Sequence, residues 1–89
     1  MISLKKADYE KILAHAKSCV PEEACGLIAG TKAGEDKVVE KVYLLTNIDH
    51  SNEHFTLDPK EQLAAVKDMR ANGLMPLGNW HSHPESLSL

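Results

Sequence analysis

A chain of 89 residues, 43% hydrophobic and 26% charged, has room for one domain and one small core. A net charge of −3 with a pI near 5.9 excludes a surface built for nucleic acid, which needs clustered Lys and Arg. No apolar run approaches the ~18 residues of a membrane span, and Lys5 and Lys6 sit where a signal peptide needs its apolar stretch, so a cytoplasmic protein without a membrane partner is expected.

The first element is predicted as a helix from about Lys6 to Ser18, with Tyr9, Ile12, Leu13 and Ala16 at helical spacing on its buried face. Pro21 ends it. Ala24 to Gly30 is a short apolar run bounded by glycine, which suits a buried strand. Thr31 to Asp36 reads as a polar turn. Val38 to Ile48, rich in β-branched and aromatic residues, predicts a second strand, and His54 to Leu57 a further short one.

A second helix starts at Asp58, with Pro59 at its first position and Glu61 completing an Asp-x-x-Glu capping box. Leu63, Val66 and Met69 form its buried side, and Asn72-Gly73 stops it. Met75 to His83 is the last strand, closed by Pro84. Helix, strands, helix and strand in this order predict an α/β sandwich: a mixed β-sheet flanked by helices, in a single domain over 1–89.

Two segments carry chemistry. In a strand, His81 and His83 point to one face with Cα atoms ~6.6 Å apart. Their rings can converge on one metal at the ~2.0–2.1 Å bonds that suit zinc. Alone, His-x-His is a weak signal. The metallo-β-lactamase pattern also begins this way, but it needs Asp and His where this chain has Glu85 and Ser86. The other segment is Glu22-Glu23 leading into the apolar strand, where a carboxylate at an exposed sheet end could act as a general base. Taken alone, the two carboxylates read more simply as a solvated pair after a helix.

Together, Pro-x-Glu-x-Cys-Gly-Leu-Ile-x-Gly over residues 21–30 and His-Ser-His-Pro over residues 81–84 resemble the JAB1/MPN/Mov34 (JAMM) zinc metallopeptidases, especially the compact bacterial members. The resemblance covers essentially the whole chain and implies the cytidine-deaminase-like MPN/JAB fold. It also implies that Glu23 is the catalytic acid/base, that His81 and His83 are two ligands of Zn2+, and that Glu22 is a bystander. The implied activity is metal-assisted hydrolysis of peptide or isopeptide bonds. The implied substrate is a ubiquitin-like or sulfur-carrier protein cut at its C-terminus, its tail lying extended beside the sheet.

The family pattern continues with Ser-x-x-Asp, whose serine assists catalysis and whose aspartate is the third ligand. Both are absent from this chain, so the resemblance implies an incomplete domain lacking its C-terminal part. The chain alone is expected to be inactive, to bind zinc weakly, and to self-associate. Glu85, Ser86 and Ser88 do not match the family spacing. The alternative function is a non-catalytic MPN scaffold or interaction domain, and a third, a small metal-binding module, would need more ligands than the sequence offers.

The other candidates have simpler readings. Cys19 and Cys25 are too few for a disulfide framework and are expected as reduced thiols, Cys25 in an apolar and therefore inert setting. His15 is expected as a partly exposed helix residue, and His50 and His54 as loop residues. Trp80 alternates in direction with His81 and is expected in the core.

Overall fold

The computed structural model describes residues 1–84, so Glu85, Ser86 and Ser88 lie outside the described residues. In chain order the elements are β1 (Ile2–Ser3), α1 (Lys6–Cys19), β2 (Cys25–Ala33), β3 (Asp36–Leu45), α2 (Pro59–Ala71) and β4 (Met75–His81). The sheet runs β1-β3-β2-β4; β1 is parallel to β3, and the remaining pairs are antiparallel. This is the expected mixed-sheet α/β fold.

β2 and β3 form one long hairpin. The residues expected as a turn, Thr31 to Asp36, mostly extend it: only Gly34 and Glu35 turn, between the paired Ala33 and Asp36. The expected strand over His54 to Leu57 reduces to a single bridge between Asn47 and Leu57. Those residues bond instead to the Asn47 side chain. β1 was not foreseen, being only two residues long.

The Asp58 carboxylate caps α2 by accepting from the Lys60 N–H at 2.9 Å. Glu61 does not complete the expected capping box. Its carboxylate reaches across to β3's end, accepting from the Thr46 N–H at 2.7 Å and the Thr46 hydroxyl at 2.9 Å. Tertiary partners outcompeted the local one. The helix closes with paired bonds from the Gly73 N–H to the Arg70 carbonyl and from the Leu74 N–H to the Met69 carbonyl. That pattern needs a left-handed residue at Gly73, which has φ +68°, while Asn72 remains at φ −98°.

The core on α2's side gathers Ala29, Ala65 and Met69, with Leu27, Tyr43 and Leu74 against it. Leu63, expected inside, is 56% exposed; Ala65 takes that role because the helix is turned further toward its small residues. On the opposite face, α1 buries Ala16 and half-buries Ile12 and Leu13, but Tyr9 is exposed and Asp8 is buried in its place. Trp80, expected in the core, is only half-buried here, edge-on to His15 with ring centroids 6.0 Å apart, and its indole N–H donates to the Tyr43 carbonyl at 3.1 Å. Only a glycine fits beneath it. A Cβ at Gly26 would lie 1.9 Å from the Tyr43 oxygen and 2.4 Å from the Trp80 nitrogen. Among the described residues, no helix is long and apolar enough to cross a membrane.

Candidate metal centre

The site forms where β2 begins and β4 ends. Antiparallel pairing sets Cys25 opposite His81, so the residues just before Cys25 lie beside those just after His81. Ser82 extends this pairing beyond the last strand residue. Its N–H donates to the Ala24 carbonyl at 3.0 Å, and its hydroxyl accepts from the Ala24 N–H at 2.9 Å. Ser82 and Ala24 are both buried, which turns the two bonds into a clamp between Glu23's neighbour and the histidine segment.

Glu23, His81 and His83 are thereby brought together, with ligand atoms all within 4.8 Å of one another. Glu23 differs from the exposed carboxylate expected at a sheet end: it is 3% exposed. Its Oε1 lies 2.6 Å from His81 Nδ1. The tautomer with hydrogen on Nδ1 donates to the carboxylate and leaves the Nε2 lone pair available, which is how carboxylates orient ligating imidazoles. The rings of His81 and His83 meet edge-to-face with centroids 4.8 Å apart. Phe55 stacks on the His81 ring at 4.8 Å with an interplanar angle of 22°.

His81 and His83 are donors suited to zinc, whose ~2.0–2.2 Å bonds place tetrahedral ligands ~3.4 Å apart, a spacing within reach of side-chain rotation, and the Glu23 carboxylate lies beside them. The residues fit a divalent metal of this kind. Among the described residues this is the sole group of three or more His, Cys, Asp or Glu side chains arranged to hold an ion. His54 and Asp49 are not part of it.

The other candidates lie apart from this cluster. Glu22 pairs at the surface with His50, Oε1 to Nδ1 at 2.7 Å. His15 is half-buried, its Nε2 3.2 Å from the Leu45 carbonyl oxygen. Cys19 and Cys25 are free thiols. Burial, reinforced by Cys19 and the nearby carboxylates, pushes the Cys25 thiol up to about 11, so it is protonated at neutral pH and no nucleophile.

Three supporting residues escaped the sequence reading: Ser82, Asn47 and Phe55. Strand alternation offered a signal for Ser82, because it puts this polar residue on the face opposite His81 and His83, the one shared with Trp80. Asn47 had only the general tendency of Asn to bond nearby backbone, seen here in the 3.0 Å bond from the Asp49 N–H to its Oδ1. Phe55 gave no signal beyond being an aromatic in a polar loop.

Residues 5–88 match the family described as prokaryotic homologs of the JAB domain. The chain belongs to this family. This JAB domain is 36% identical over 72 residues to the CysO-cysteine peptidase of Mycobacterium tuberculosis, covering 81% of this chain and 48% of that protein. It is 29% identical over 90 residues to a desampylase of Haloferax volcanii, covering 96% of this chain and 63% of that protein. The chain thus spans about half the length of the mycobacterial relative and under two thirds of the archaeal one. A solution structure of a Desulfitobacterium hafniense protein superposes with a TM-score of 0.87 at 58% identity, over 94% of this chain and 57% of that one.

Proposed function

We propose that this JAB domain belongs to a zinc-dependent peptidase or isopeptidase acting at the C-terminus of a ubiquitin-like or sulfur-carrier protein. The observation that carries the reading is the convergence of Glu23, His81 and His83 where β2 begins and β4 ends. The activities for which the mycobacterial and archaeal relatives are named support a peptidase of this class.

In this reading His81 and His83 hold the metal, and Glu23 is the general base. Bound zinc supplies Lewis acidity, polarising a carbonyl and acidifying water. Glu23 accepts a proton from the attacking water as the new C–O bond forms. It then gives that proton to the nitrogen of the breaking C–N bond, so the amine leaves neutral. Its burial suits the task, because a carboxylate shielded from bulk water and held by one imidazole keeps a fixed aim. In this reading the substrate tail lies along β4, one of the two terminal strands of the sheet among the described residues.

The test uses the intact protein. Zinc affinity is measured by calorimetry, and cleavage of ubiquitin-like fusions is followed by mass spectrometry. Glu23→Gln is expected to lower turnover by about 10²-fold or more with zinc affinity retained, whereas Glu22→Gln leaves both unchanged. A Glu23→Gln protein that loses zinc instead would make Glu23 a ligand rather than the base. Wild-type protein that binds zinc and cleaves nothing would leave only the scaffold reading.

A further inference from the structure

The loop between β3 and α2 is organised around one buried side chain. Asn47 is 7% exposed. Its amide nitrogen donates to the carbonyls of Glu23 at 2.9 Å and His54 at 3.0 Å, and one of its two hydrogens is shared with the Ser51 carbonyl at 3.4 Å. Its Oδ1 accepts from the N–H groups of Asp49 and Thr56, both at 3.0 Å. Residues 48–56 therefore wrap around a single amide that reaches both ends of the segment and its middle.

That loop touches both partners of the 2.6 Å contact in the site. Glu23 precedes β2 and has no place in its ladder. Its N–H donates to the Ser51 carbonyl at 2.7 Å, and its own carbonyl accepts from Asn47. Both backbone groups of Glu23 are thus held by Asn47 or by a carbonyl that Asn47 also binds. Phe55, which stacks on His81, lies between His54 and Thr56, the two residues tied to Asn47 from opposite sides.

We propose that Asn47 is a positioning residue of the site: through the loop it folds, it sets the backbone of Glu23 and, by way of Phe55, the ring of His81. The consequence for catalysis rests on the peptidase reading above; the consequence for geometry does not. A buried amide with its donor and acceptor both used has one orientation, so it fixes Glu23 and Phe55 relative to each other. Displacing a reacting group by about 1 Å costs about 10²-fold in rate. That is the expected scale for removing this anchor.

Two variants of the intact protein test it, Asn47→Ala and Phe55→Leu, by NMR, zinc calorimetry and kinetics. In Asn47→Ala, amide exchange at Glu23 and Thr56 should rise by about tenfold or more while Ala29, deep in β2, is unchanged. The His81 ring protons should lose the upfield shift imposed by the stacked Phe55, and kcat should fall by about 10²-fold with KM changed less than about threefold. In Phe55→Leu, which leaves every Asn47 hydrogen bond intact, the His81 shift should also disappear and zinc should bind severalfold more weakly, with Glu23 exchange as in wild type. Exchange rising equally at Ala29 and Glu23 would reduce Asn47 to a general stabiliser and overturn the proposal. Wild-type kcat in Asn47→Ala would overturn its catalytic part. Unaltered His81 resonances and zinc affinity in Phe55→Leu would overturn the link to His81, whether or not Asn47→Ala folds. A wild-type protein without hydrolytic activity would refute the peptidase reading, while the exchange and resonance measurements would still decide the role of Asn47.

Discussion

Removing the Ser82 hydroxyl isolates one half of the clamp that joins the two halves of the site. In Ser82→Ala the backbone bond from residue 82 to the Ala24 carbonyl persists, so strand register should survive. What is lost is the acceptor for the Ala24 N–H, held at 2.9 Å by a residue only 3% exposed. Ala24 itself is 1% exposed, so water cannot readily replace the hydroxyl. Leaving a buried donor unpaired costs about 1–3 kcal/mol, more than the net worth of an average hydrogen bond. With a urea dependence of about 1–2 kcal/mol per molar, the unfolding midpoint should fall by about 0.5–3 M. Ser82→Thr, which retains the oxygen, should recover most of that loss. Equilibrium urea unfolding of wild type and both variants measures the difference. A Ser82→Ala midpoint within about 0.2 M of wild type would show that the Ala24 N–H finds another partner, and the clamp would have to be abandoned.

Gly26→Ala should be far worse than Gly34→Ala. The new methyl at position 26 meets the Tyr43 carbonyl at 1.9 Å and the Trp80 indole at 2.4 Å, whereas position 34 has open space and only a strained φ of +62° to accommodate. Overpacking against backbone is expected to cost about 3 kcal/mol or more, against about 1–2 kcal/mol for the left-handed residue, and unfolding experiments in which the two cost the same would contradict this. A pH effect follows from Tyr43, whose hydroxyl donates to Asp68 at 2.7 Å. Burial first, and then the bond to Asp68, push its phenol from 10.0 up to about 12. The folded state therefore favours the neutral phenol: that contribution is full below pH 10 and is lost as pH rises toward 12. Asp68→Asn should move the tyrosinate absorbance rise at 295 nm to lower pH; an unchanged titration would show that Asp68 does not hold the phenol.

Local chemistry made much of this protein legible. Asp58 and Pro59 start α2, Gly73 stops it, and Pro21 follows the end of α1, because caps and breakers act through their immediate neighbours. The candidate triad was legible as well, since Glu23 stands in one recognisable motif and His81 and His83 in another. Pairing was not. Sequence placed Glu61 in a capping box, yet it bonds Thr46, because a helix packed on a sheet offers a carboxylate partners that local geometry does not. Leu63 and Tyr9 looked buried by periodicity, but the helices rotate so that Ala65 and Asp8 face inward.

What the sequence determined by itself was therefore the starts and stops of the two helices, the mixed α/β architecture and the candidate donor residues of the site. Only the tertiary structure decided that Glu23 is buried rather than solvated, that Ser82 clamps it to the histidines, and that Asn47 holds its backbone. Each of these rests on a hydrogen bond or contact between residues far apart in the chain: Glu23 with His81, Ala24 with Ser82, Asn47 with Glu23. Spacing along one strand or helix carries no information about such pairs. Strand register creates them, and register is fixed by packing the whole sheet between its two helices.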